Sequence, residues 1–105
     1  MIEIKLTIDG KKQPFKKRDF TIRDNMLAIK HQIMATAYYT DETKANNPEE
    51  YEKVQVNFVK TIAQMFDNQF DYEQLFTLPV ADMAVLDLVY KKALGGDVED
   101  EEGKK

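Results

Sequence analysis

Ile2, Ile4, Leu6 and Ile8 alternate with Glu3, Lys5 and Thr7. Alternation with a period of two places one set of side chains on each face of a strand, so a half-buried strand is predicted at the start of the chain. Asp9-Gly10 follows at once, a pair that favours positive φ and reads as a tight hairpin turn. Residues 11–16 are then expected to return antiparallel, with Phe15 near the core. Pro14 has no N–H to give to a ladder, which makes the second strand an edge strand, and the lysines around it discourage pairing with another chain.

Beyond the hairpin the period changes. Ile22, Met26, Ile29, Ile33 and Ala37 step by four, three, four and four, so they share one face of a helix predicted over about 22–39. Thr21 with Asp24 has the spacing of a capping box at its start. Asp41 to Asn47 is polar and is expected to be a loop. A second helix is predicted from Asn47 as cap and Pro48 in the first turn to about Asn68, with Glu49 and Glu50 at the positive end of its dipole. Its apolar positions, from Tyr51 and Val54 through Phe58, Val59, Ile62, Ala63 and Met65 to Phe66, cover an arc of roughly 180°, wider than the ~100° of an ordinary surface helix. That helix should be central and packed from two sides, or packed from one side with a partner on the other.

Asp71 with Gln74 repeats the capping-box spacing and opens a short turn through Phe76. Pro79 starts a last helix and Gly95-Gly96 stops it. Met83, Leu86, Tyr90 and Leu94 form one stripe of that helix, and Val85, Leu88 and Val89 lie largely on another side. The predicted class is α+β, mainly helical: a hairpin, three main helices and a short helical turn forming one domain over 1–96. The acidic run after Gly96 has too few apolar groups to offset its ordering entropy, so 97–105 is expected to be disordered.

A chain of 105 residues suits one modest core. The net charge of −4 hides an asymmetry. Residues 1–30 hold eight Lys/Arg against four Asp/Glu, and residues 31–105 hold seven against fifteen, so the two parts carry +4 and −8. An acidic balance argues against general nucleic-acid binding, which works by neutralising phosphates. The absence of cysteine excludes a disulfide framework, a zinc–thiolate site and a thiol nucleophile. There is no signal region at the start and no apolar run near the ~20 residues that span a membrane, so no membrane partner is expected.

Candidate chemistry is sparse. His31 is the single histidine, and a catalytic or metal role would need converging partners that no second histidine or cysteine supplies. The acidic tail lacks the glycine and ligand spacing of a calcium loop. The basic hairpin has Phe15 and Phe20 nearby, which would suit base stacking, but the same aromatics are needed to fill a small core. No cofactor, metal or catalytic residue is predicted. The apolar excess of the last two helices points instead to a protein partner, and a homo-oligomer is compatible with it.

The order of segments carries a resemblance. The start Met-Ile-Glu-Ile-Lys-Leu-Thr-Ile-Asp-Gly-Lys is followed by helices. Then come Met65-Phe66-Asp67-Asn68-Gln69-Phe70-Asp71-Tyr72-Glu73-Gln74-Leu75 and Leu78-Pro79-Val80-Ala81-Asp82. Over most of residues 1–94 this resembles the tail assembly chaperones of long-tailed, siphovirus-type bacteriophages of Gram-positive hosts. It departs from them at Thr77, where the family often has glycine. The resemblance implies a non-enzymatic protein of the host cytoplasm that coats the tape-measure protein, helps recruit tail-tube subunits and is missing from the finished virion. It also implies a longer, frameshifted form through which the major tail protein is reached, for which the codons of Gly103-Lys104-Lys105 are candidate slippage sites. Two other readings stand beside it, a phage structural or adaptor protein retained in the particle and a small nucleic-acid-binding regulator. On the chaperone reading, the residues expected to meet the partner are Phe70, Tyr72, Leu75, Phe76, Val85, Leu88 and Val89. Polar replacements at Leu88 and Val89 are then expected to abolish co-purification with the tape-measure protein while leaving helical content intact.

Overall fold

The structure is a computed structural model that describes residues 2–95. Strands β1 (Ile2–Ile8) and β2 (Lys11–Lys17) form an antiparallel hairpin, and Asp9 and Gly10 both take positive φ in its two-residue turn. Ile4 stands opposite Phe15, Lys5 opposite Pro14 and Ile2 opposite Lys17. With Ile8 and Lys11 flanking a two-residue turn, alternate residues of β2 turn their backbone groups to the outer edge, and Pro14 is one of them. Its missing N–H therefore costs no ladder bond. The outer edge is otherwise engaged, since the Gln69 side-chain amide donates to the Lys16 carbonyl at 2.7 Å. The free edge of β1 is closed by the Asp82 carboxylate, which accepts from the Thr7 N–H at 2.8 Å.

Five helices follow: α1 (Ile22–Thr40), α2 (Glu42–Ala45), α3 (Pro48–Met65), α4 (Tyr72–Leu75) and α5 (Met83–Ala93), the last entered through a 3-10 turn over Val80–Asp82. The predicted fold class holds, α+β and mainly helical. Both capping boxes form, Thr21 with Asp24 and Asp71 with Gln74. The expected loop after α1 instead contains the single turn α2. Asp41 caps it by accepting from the Thr43 N–H at 2.9 Å, and the Tyr38 hydroxyl donates to the Ala45 carbonyl at 3.2 Å. Helix α3 stops three residues short of Asn68, because Asp67 and Asn68 enter the left-handed region. The expected disorder of 97–105 lies outside the described residues.

The core joins all the layers. Leu6 from β1, Ala28 from α1, and Ile62 and Phe66 at the end of α3 are fully enclosed, with Leu75, Leu86, Val89 and Ala93 packed around them. Helix α3 is central, as its wide apolar arc predicts, and touches α1, α2, α4 and α5.

Helix α1 packs by an unexpected side. Asp24, Ala28, His31 and Tyr38 point inward. The isoleucine face points out, with Ile22 81 %, Met26 58 % and Ile33 65 % exposed. At ~100° per residue the two sets lie about 180° apart on the helix. Three polar contacts hold this orientation. The Lys17 ammonium, carried inward opposite Ile2, makes a buried ion pair with Asp24 and lies over the Phe20 and Phe66 rings at 5.3 and 5.9 Å. His31 Nδ1 hydrogen-bonds Asn57 Oδ1 of α3 at 2.8 Å. The Asn25 amide donates to the Ala93 carbonyl at the end of α5, at 2.9 Å.

An ion pair out of water is costly to break from one side only, because the remaining charge keeps its desolvation penalty. Lys17→Met should lower unfolding free energy by about 3 kcal/mol or more in urea titration. Combining it with Asp24→Asn, which keeps a capping oxygen, should cost less than the sum of the two single changes.

Candidate functional site

Two apolar surfaces face outward. The first is the ridge of α1, Ile22, Met26, Ile29 and Ile33, flanked on one side by Arg23 and Lys30. Arg23 reaches Asp67 at 3.3 Å, but both side chains are largely exposed, so the pair is weak. The second is a groove of about 520 Å³ between α3 and the segment from α4 to α5. Tyr51, Phe58, Phe76, Val80 and Met83 give it apolar walls, and Glu52 contributes a carboxylate. Pro48 starts α3 on one wall of the groove, and on the other the chain bends at Leu78 and passes through an extended Pro79 into the 3-10 turn. Groove volumes of this order suit a few anchor side chains of a docked segment.

The residues expected to meet a partner divide between this groove and the interior. Phe76 is exposed and lines the groove. Tyr72, Val85 and Leu88 are half-buried, and the Tyr72 ring carries the Lys60 ammonium at 4.9 Å and meets Phe76 edge-on at 6.3 Å. Phe70, Leu75 and Val89 are core, and Leu75 also lines the groove at its base. Phe70 packs edge-on to Phe15 at 4.9 Å and Val89 is 2 % exposed, so neither offers surface to a partner. The buried stripe of α5 is Leu86 from one expected stripe, Val89 from the other and Ala93 from neither, and Met83 is left in the groove. A polar residue at Val89 would thus damage the core, not a docking face. Tyr51, Val80 and Met83, which line the groove, and the exposed ridge of α1 were not among the residues expected to meet a partner. The signal for the groove was the tyrosine on the first turns of α3 beside a proline-led apolar segment. The ridge gave no such signal, because an apolar stripe looks alike whether it turns in or out.

The interior polar groups are satisfied structurally. Among the described residues, no buried side-chain nitrogen or oxygen lacks a partner, and no cluster of His, Asp or Glu could hold a metal. No described helix is long and apolar enough to cross a membrane. His31 is enclosed by Asn57, Phe58 and Tyr90, with the Tyr90 ring edge-on at 5.5 Å. Burial pushes the Tyr90 phenol above its ordinary pKa, so that ring stays neutral until strongly alkaline pH. The Thr43 hydroxyl and N–H hold the Asp41 carboxyl below the usual carboxylate range, so the α2 cap is lost only as pH falls through that lowered value.

The family model described as phage tail chaperone protein matches residues 1–105. The chain belongs to the phage tail chaperone family. No curated protein and no solved structure matches it. For a tail chaperone, the two outward apolar surfaces are the features that need explaining, since exposed apolar patches of more than a few hundred Å² mark interaction sites. The same substitution at two valines separates surface from core. Val80→Ser, at a side chain 81 % exposed, should change stability by less than about 0.5 kcal/mol. Val89→Ser should cost about 2 kcal/mol or more, read by thermal or urea unfolding.

Proposed function

We propose that this tail chaperone is a non-enzymatic holder of the tape-measure protein in the host cytoplasm. It seats amphipathic helical segments of that protein in the groove between α3 and α5, and through them helps bring tail-tube subunits to the assembly. The observation that carries the reading is the apolar groove walled by Tyr51, Phe76, Val80 and Met83 on a chain matched end to end by the family model. A long helical protein exposes repeated apolar stripes, and such stripes enter grooves through residues spaced i, i+3, i+4 and i+7. Each contact is small, so binding is weak per site and strong only when many sites on one chain are filled.

Co-expression with the tape-measure protein of the same phage tests this. The tagged chaperone should keep that protein soluble and recover it, and Val80→Asp or Met83→Asp should lower recovery at least about tenfold while helical content by circular dichroism is unchanged. Mass spectrometry of purified virions should find no copies of the chain. Recovery of the chain in virions, or a tape-measure protein that never co-purifies, would overturn the reading.

A further inference from the structure

The outer face of the hairpin is cationic. Ile4, Leu6 and Ile8 turn to the core, so the residues between them and their cross-strand partners face out. Lys5, Lys12 and Lys16 stand there with Glu3 and Pro14, all exposed. Lys11 and Arg18, at the two ends of β2, are exposed as well. None of these five cations forms an ion pair with a described residue. Glu3 is opposite Lys16, Asp9 lies in the turn and Asp19 follows Arg18, but none comes within pairing distance. Protection of the sheet edge accounts for lysines on β2. It does not account for Lys5 on β1, whose diagonal neighbours across the strands are Lys12 and Lys16. We infer that the chain's own acidic segment, Asp97 to Glu102, folds back over this face and masks it, so that the free protein yields its cationic surface only to an acidic partner segment that displaces the chain's own. This goes beyond the proposed function and does not depend on it.

The occupant follows from charge and from where the described chain ends. Asp97, Glu99, Asp100, Glu101 and Glu102 put five acids in six residues, matching five cations. Helix α5 starts beside Thr7, near the turn of the hairpin, where Asp82 holds the strand. It ends where the Ala93 carbonyl meets Asn25, next to Asp24, whose partner Lys17 closes β2. Gly95 therefore lies at the open end of the hairpin, close to Arg18. From Gly95 to Glu102 an extended chain reaches about 24 Å, and β2 is about 20 Å long, so the acids can run the length of the face. Each exposed pair is weak and screened by salt. Tethering makes the encounter intramolecular, which raises the effective concentration to about the millimolar range and lets weak pairs act together.

The full chain has no cysteine, so Gly103→Cys gives a single site for a nitroxide label. In low salt the label should broaden the amide signals of Lys5, Lys12 and Lys16, and spare Thr43 and Ala45 of α2, at the far end of an α1 about 27 Å long. The broadening should vanish in about 1 M salt, where screening acts over about 3 Å. It should vanish too when the five acids become Asn or Gln at the same positions. Equal broadening at α2, or broadening that survives neutralisation of the acids, overturns the inference. So does broadening seen only between labelled and unlabelled copies in a mixture, because the acids would then come from another chain. Masking is read with a decaglutamate peptide, which the neutralised chain should bind at least about tenfold more tightly than wild type in low salt. Lys5→Gln with Lys12→Gln and Lys16→Gln, all exposed and away from the core, should remove that gain with unchanged circular dichroism. Equal binding by wild type and neutralised chain overturns the masking. A neutralised chain that takes polyuridylate but not decaglutamate makes the face a nucleic-acid site, and that also overturns it.

Discussion

The buried pair between Lys17 and Asp24 decides which way α1 is turned. Lysine and aspartate are poor interior residues, and each is tolerated only because the other is there. Asp24 also accepts from the Thr21 N–H at 3.0 Å, so the carboxylate serves the helix cap and the strand lysine together. Drawing Asp24 inward fixes the rotation of α1, and the rotation brings Ala28, His31 and Tyr38 in with it. The His31–Asn57 hydrogen bond then ties the middle of α1 to α3. The isoleucine stripe has no choice but to face outward.

This reverses the usual relation between hydrophobicity and burial. Burying an isoleucine is worth about 2 kcal/mol, and α1 leaves three of them wet. The core does not lack apolar groups, since the hairpin, α3 and α5 fill it without that face. A small domain that can be stable while leaving such a surface in water has it available for another protein.

The hairpin was legible because alternation, turn residues and Pro14 all point the same way. Helix α3 was legible because cap, proline, acidic first turn and apolar arc agree. The facing of α1 was not. Its strongest periodicity belongs to the outward stripe, and the inward contacts depend on Lys17, distant from it in spirit of pattern though only seven residues before Asp24. A lysine in a lysine-rich strand reads as solvated edge, and only the register opposite Ile2 shows that this one points in. The split of the expected partner residues has a similar cause. Phe70, Leu75 and Val89 are as apolar as Phe76 and Met83, and which of them become core depends on the positive-φ turn at Asp67 and Asn68, which redirects the chain after α3, and on the rotation of α5 against its neighbours.

Asp82 has a mechanical consequence. Its carboxylate holds the Thr7 amide of β1 while its backbone neighbour Met83 lines the groove. The wall of the groove is thereby moored to the hairpin, and spreading the cleft to admit a helix pulls on that mooring. Breaking that one hydrogen bond would open the Thr7 amide to exchange with solvent, so the state of the wall and the protection of the hairpin edge are coupled through Asp82.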